Sequence, residues 1–220
     1  MKKSFNFILV HGWAFDSSFW SGLKILLEKK TFCSEVTCID LGFFLSESKK
    51  KKSLKILKNQ IFVVHSLGLQ WFLNKKINCE LLINFFGSPN FIKFQNNQKM
   101  KKRILNKMIS RFRVNPDLVL KDFYSKCGVK YSNKKINENI LLNYLIDLRD
   151  KDQEKEFMMQ NIKKVSFFNK KDEIFSSSKY MLEKLRDKNH QIFFLDENEH
   201  SLPFSNPLKT LELIEKSLKL

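Results

Sequence analysis

A chain of 220 residues is long enough to bury one sizeable core, and residues 1–220 read as a single domain. No stretch approaches the roughly twenty apolar residues of a membrane span, and Cys33, Cys38, Cys79 and Cys127 show neither metal-ligand nor disulfide-framework spacing. The net charge of +17 leaves two readings open: a compositional bias, since Ala14 is the only alanine while Lys, Asn, Ile and Phe abound, or an acidic partner drawn to a positive surface.

In chain order, Met1-Lys2-Lys3 and the apolar run after it resemble the start of an export signal. The run ends at Val10 and leads into a structural motif, so a cytoplasmic location is expected. Phe7-Ile8-Leu9-Val10 has the pattern of a short buried strand, followed at once by His11-Gly12-Trp13-Ala14. Glycine at position 12 lets the backbone come close to a ligand; a plain strand–turn with a satisfied histidine is the alternative. Ile39-Asp40-Leu41-Gly42-Phe43 closes the next strand, and Lys49–Lys52 reads as a solvated loop.

Ile61-Phe62-Val63-Val64 is a third strand, and His65-Ser66-Leu67-Gly68 follows it. A serine on a strand-to-helix turn matches the G-x-S-x-G elbow, which pushes a hydroxyl out above a sheet. Gly68 fills the second small position, but Val64 stands where the first glycine belongs.

After a strand at Leu81–Phe86, residues 90–160 read as helical. Met100, Ile104, Leu105, Met108, Ile109 and Phe112 recur at helical spacing as one apolar arc, with Lys99, Lys102, Arg103 and Lys107 opposite. Asn115-Pro116-Asp117 breaks that helix and opens another through Leu118–Phe123, and a third runs through Ile140–Leu148. Ordinary packing is the default use of such apolar stripes; lining an acyl tunnel is the functional one.

Lys164–Phe168 forms the penultimate strand, and Asn169-Lys170-Lys171-Asp172-Glu173 the loop at its end. Asp172 is the candidate acid, with neighbouring Glu173 as the alternative. Gln191–Leu195 is the last strand, and His200 sits in the loop before a final helix carrying Leu208, Leu211, Leu213, Ile214 and Leu218. A histidine there is placed to act as a general base. His11, His65 and His190 compete for the role but belong to other segments.

Taken together, these segments resemble the α/β-hydrolase superfamily, and within it the pimeloyl-[acyl-carrier protein] methyl ester carboxylesterases of biotin synthesis. The resemblance rests on His11-Gly12-Trp13, Ile39–Phe43, Ser66-Leu67-Gly68 and Asp172. It continues through His200-Ser201-Leu202-Pro203-Phe204-Ser205-Asn206-Pro207, which is similar to that family's H-x-P-F-x-x-P pattern. It covers most of the chain, although residues 90–160 match only in being helical.

The resemblance implies a mostly parallel central sheet flanked by helices, with residues 90–160 as an inserted helical lid. It implies a serine carboxylesterase with Ser66 as nucleophile, His200 as base and Asp172 as orienting acid. The backbone N–H groups of Trp13 and Leu67 would hold the oxyanion, and neither a cofactor nor a metal would be needed. The expected partner is an acyl carrier protein, docked on Lys99, Lys102, Arg103 and Lys107, with Arg111 and Arg113 as second-rank contacts. Neither a nucleic-acid nor a membrane partner is expected. Two alternatives remain: another acyl esterase or thioesterase of the same fold, or a non-catalytic acyl- or protein-binding relative, for which Val64 is the best argument.

Overall fold

Short runs of β-branched and aromatic residues become one six-stranded parallel sheet. The computed structural model describes residues 3–45, 57–185, 187–197 and 199–219. The strands are β1 (Phe5–Val10), β2 (Cys33–Ile39), β3 (Gln60–His65), β4 (Leu81–Phe85), β5 (Lys163–Asn169) and β6 (His190–Leu195), in the spatial order β2-β1-β3-β4-β5-β6. Every neighbouring pair is parallel, with Val10 facing Val64 and Val64 facing Asn84 across the central ladders. β3 and β4 are buried along their whole length, which explains why they are apolar apart from Gln60, His65 and Asn84: a central parallel strand is covered on both faces.

The chain runs outward from β1 to β2, then returns to the other side of β1 as β3. That reversal opens a crevice beyond the carboxyl ends of β1 and β3, where open α/β sheets place their ligands. Among the helices, α1 (Ser21–Glu28) buries Leu23 and Leu27 and packs against α9 (Pro207–Ser217), while α2 (Gly68–Asn74) starts directly after the serine turn. α7 (Lys179–Leu185) and α8 (Leu202–Ser205) flank β6 in sequence. With a single alanine in the chain, large rings fill the interior: Phe7, Phe62, Phe72, Phe85 and Trp20 are almost wholly buried.

Between β4 and β5 lie α3 (Gln98–Val114), α4 (Pro116–Lys126), α5 (Glu138–Asp150) and α6 (Glu154–Met159). Asn97 caps α3 by accepting the Met100 N–H. Asn115 ends α3 and caps α4 by accepting the Leu118 N–H, with Pro116 at the first helical position. The apolar arc of α3 is narrower than the sequence pattern suggests. Leu105, Ile109 and Phe112 are buried, whereas Met100 and Ile104 are each 48% exposed. At 3.6 residues per turn the first three share one stripe, and the other two fall on its flank. Residues 46–56, and with them the run Lys49–Lys52, lie outside the described residues. Among the described residues, no helix is long and apolar enough to cross a membrane.

Candidate active site

Four loops converge at the carboxyl ends of β1, β3, β5 and β6. Ser66 follows β3 with φ 51°, a left-handed conformation that a serine adopts only when its surroundings hold it there. Its N–H donates to Phe85 O at 2.8 Å, pinning the turn to β4. The helix that follows leaves no room at its first residue: a Cβ on Gly68 would lie 2.6 Å from Val10 O. The β1 loop presses equally close, since a Cβ on Gly12 would lie 2.7 Å from His65 Nδ1 and 3.0 Å from Ser66 Cβ.

His11 braces that loop. Its Nε2 accepts the Leu41 N–H at 3.0 Å, so Nδ1 carries the proton given to Gly12 O at 2.9 Å. Trp13 is buried, and its Nε1–H donates to Leu141 O of α5 while its ring meets the edge of Phe123 at 4.8 Å. Among the described residues, no acceptor takes the backbone N–H of Trp13 or of Leu67.

Asp172 and His200 are joined. Asp172 Oδ1 accepts the N–H groups of Ile174 and Phe175 at 2.8 and 3.0 Å, and Oδ2 lies 2.6 Å from His200 Nδ1. The carboxylate is thus held on both oxygens, and the imidazole keeps its proton on Nδ1. His200 Nε2 is buried with no hydrogen-bond partner, an arrangement native structures rarely tolerate without a functional reason. Ser66 Oγ and His200 Nε2 make no hydrogen bond; such contacts are often long until a substrate is seated. Glu173 is exposed, while Asp172 is 5% exposed, so the adjacent carboxylates sit in different environments.

Three further bonds fix the His200 loop. Asn169 Nδ2–H donates to Glu199 O at 2.6 Å, Ser201 Oγ–H donates to Cys127 O, and His65 Nε2–H donates to His200 O at 2.8 Å. His65 is fully buried and stacked on Phe19 at 4.6 Å. Burial, reinforced by neighbouring His200, holds its ring well below the usual histidine range, so it stays neutral.

Solved structures follow the same path through almost the whole chain. A bromoperoxidase from Bacillus anthracis superposes with a TM-score of 0.77 at 14% identity, over 99% of this chain and 93% of that one. An esterase from Exiguobacterium antarcticum gives 0.75 at 15% identity, over 100% and 94%. The chain has the α/β-hydrolase fold. MenH from S. aureus shares it, with a TM-score of 0.67 at 15% identity over 100% and 95% of the two chains. No protein-family model matches the sequence, and no curated protein matches it.

In this α/β-hydrolase fold Ser66 and the helices after β4 line an open cavity of about 280 Å³. Its apolar wall comes from Trp13, Leu105, Val119, Phe123, Leu145 and Leu148, and its cations are Lys101, Lys107, Arg111 and Lys126. The basic row expected on α3 is therefore divided. Lys107 and Arg111 line the cavity, while Lys99, Lys102 and Arg103 are exposed without lining it. The sequence pattern did not single out Lys101 or Lys126, and it set His65 aside as part of the elbow segment. For Lys101 a signal was present, since it lies four residues before Leu105 and therefore beside the buried stripe. Among the described residues, no group of three His, Cys, Asp or Glu side chains is disposed to hold a metal ion.

Proposed function

We propose that this protein is a serine ester hydrolase, with Ser66 as nucleophile, His200 as general base and Asp172 as the acid that orients it. The observation that carries the reading is His200: one ring nitrogen bound to a fully engaged carboxylate, the other buried and unpartnered, in the loop that also accepts a bond from the residue before Ser66. In this mechanism Ser66 Oγ attacks the ester carbonyl while His200 Nε2 takes its proton. The resulting oxyanion is held by the unclaimed N–H groups of Trp13 and Leu67. His200 then protonates the departing alcohol, and water activated by the same ring releases the acid from the acyl-enzyme. Asp172 stabilises the imidazolium without itself taking the proton.

The finer reading is a cytoplasmic carboxylesterase acting on pimeloyl-acyl carrier protein methyl ester in biotin synthesis, releasing methanol. It is supported by the motifs around His11, Asp40, Ser66 and His200, by the apolar cavity, and by the net charge of +17 facing an acidic carrier. Two features depart from that family: Val64 in the elbow, and one residue more between His200 and Pro203 than its pattern has. The test is rescue of a biotin-requiring strain that lacks the esterase, alongside purified turnover of the carrier-bound methyl ester. Growth and methanol release are expected. Turnover of acyl thioesters without rescue would replace the finer reading with a thioesterase, and a folded protein inert toward every ester would favour the non-catalytic relative.

A further inference from the structure

The cavity holds cations that an ester hydrolase for neutral substrates would not need. Lys101 sits in the first turns of α3 and Lys126 in the last turn of α4, and both line the space above Ser66. The compositional bias toward lysine accounts for exposed ammonium groups such as Lys99 and Lys102. It does not account for Lys101, which is half-buried against the cavity; Lys126 is exposed but lines the same cavity.

The carboxylates nearby are already committed or lie at the rim. Arg111 pairs with Asp122 at 3.2 Å, so those two lining charges offset each other. Asp172 spends both oxygens on His200 and two backbone N–H groups. Glu173, the other lining carboxylate, is exposed. Among the described residues, neither Lys101 nor Lys126 forms an ion pair. A half-buried cation without a fixed counter-charge is unfavourable, and a second cation beside it adds to the cost. Burial holds the Lys101 ammonium below its ordinary range; Asp172 opposes that shift, and Lys126, a smaller influence, adds to it. An anion seated between the two lysines would relieve both effects.

On the basis of the esterase reading of Ser66, we infer that Lys101 and Lys126 form an anion subsite of the cavity, and that the preferred esters carry a carboxylate or phosphate away from the scissile carbonyl. The shared chemistry is an anionic group on an otherwise apolar acyl substrate, matching a cavity lined by Trp13, Phe123 and Leu145 together with Lys101 and Lys126. Its source is either a free carboxylate at the far end of the acyl chain or a phosphate on the arm that carries it.

The test compares two matched pairs on the full-length protein. The first is p-nitrophenyl butyrate against mono-p-nitrophenyl glutarate, which adds a carboxylate. The second is a far-end methyl ester on acyl-pantetheine against the same ester on acyl-4′-phosphopantetheine, which adds a phosphate. At least one anionic member should be favoured by about tenfold in kcat/KM, chiefly through KM, and the favoured pair names the source. In Lys101→Gln/Lys126→Gln that ratio should fall to about one, while Lys101→Arg should keep part of it. Equal turnover within both pairs in the native protein, or a ratio unmoved by the double substitution, would overturn the subsite and leave ester hydrolysis standing. A folded protein that turns over none of the four esters would overturn the esterase reading and the subsite with it.

Discussion

His65 donates its Nε2–H to the backbone carbonyl of His200 at 2.8 Å, so the residue before the serine holds the loop that carries the proposed base. Its Nδ1 is buried without a partner, against Gly12. One ring therefore touches the elbow, the β1 loop and the histidine loop. His65→Phe keeps an aromatic of similar size but leaves the His200 carbonyl unsatisfied. It should cost about 1–3 kcal/mol of stability, measured by urea unfolding. Ester turnover should lose kcat more than it gains KM, because the base is displaced while the cavity is intact. A variant with native kcat would show that the bond is structural only.

Ser66, Asp172 and His200 should behave as one unit. Ser66→Ala and His200→Ala should each remove nearly all esterase activity while the circular dichroism spectrum is retained, and the double variant should lose little more. Asp172→Asn should lower kcat by about 10⁴-fold, since an amide facing His200 Nδ1 favours the wrong tautomer. Near-native turnover in Asp172→Asn would transfer the acid role to Glu173 or another carboxylate.

Stability should fall in mild acid for a reason unconnected with catalysis. Asn84 Nδ2–H donates to Ser166 Oγ, Ser166 donates to His190 Nε2, and His190 Nδ1–H donates to Leu185 O, all within the interior. Burial is the main cause that lowers the pKa of His190 from 6.5 to about 4. The unfolded chain therefore binds the extra proton first as pH drops. Stability is full above about 6.5, declines between there and about 4, and levels off below, with a total loss on the order of 3 kcal/mol. Buried His65 acts in the same direction. Urea midpoints at pH 7 and pH 5 should show the decline, and His190→Gln should make it shallower while lowering stability at pH 7.

The outer lysines of α3 should govern encounter with an acidic carrier. Lys99, Lys102 and Arg103 are exposed and clear of the cavity, so their proposed role is long-range attraction. Reversing Lys102 and Arg103 to Glu should lower kcat/KM for the carrier-bound ester several-fold at low salt. The effect should shrink as ionic strength brings the Debye length to ~8 Å. A small free ester should be affected far less. Equal losses on both substrates would return these charges to compositional bias.

Most strands were legible because they carry a short apolar run ending in a turn residue, β2 with Ser34, Glu35 and Thr37 being the exception. The order of Ser66, Asp172 and His200 along the chain was legible because each follows one of the apolar strands. What the sequence hid were features set by neighbours distant in the chain. Val64 breaks the elbow pattern, yet Ser66 still takes φ 51°. The tight approaches around the turn fall elsewhere, including at Gly87, where a Cβ would lie 2.7 Å from Ser66 O. The sidedness of α3 was half legible: the period identified the stripe of Leu105, Ile109 and Phe112, but the placement of Ile104 and Lys101 on the cavity depends on how α4 and α5 pack beside it. His65 looked like a mere elbow filler because its partner, His200, is 135 positions away.

The role of Ser66 as a nucleophile activated by His200 is tested most directly by labelling with a fluorophosphonate followed by peptide mass spectrometry. One modified residue is expected, Ser66, with labelling abolished in Ser66→Ala and slowed by orders of magnitude in His200→Ala. A folded protein that leaves the probe unreacted, or one labelled equally well after His200→Ala, would contradict it.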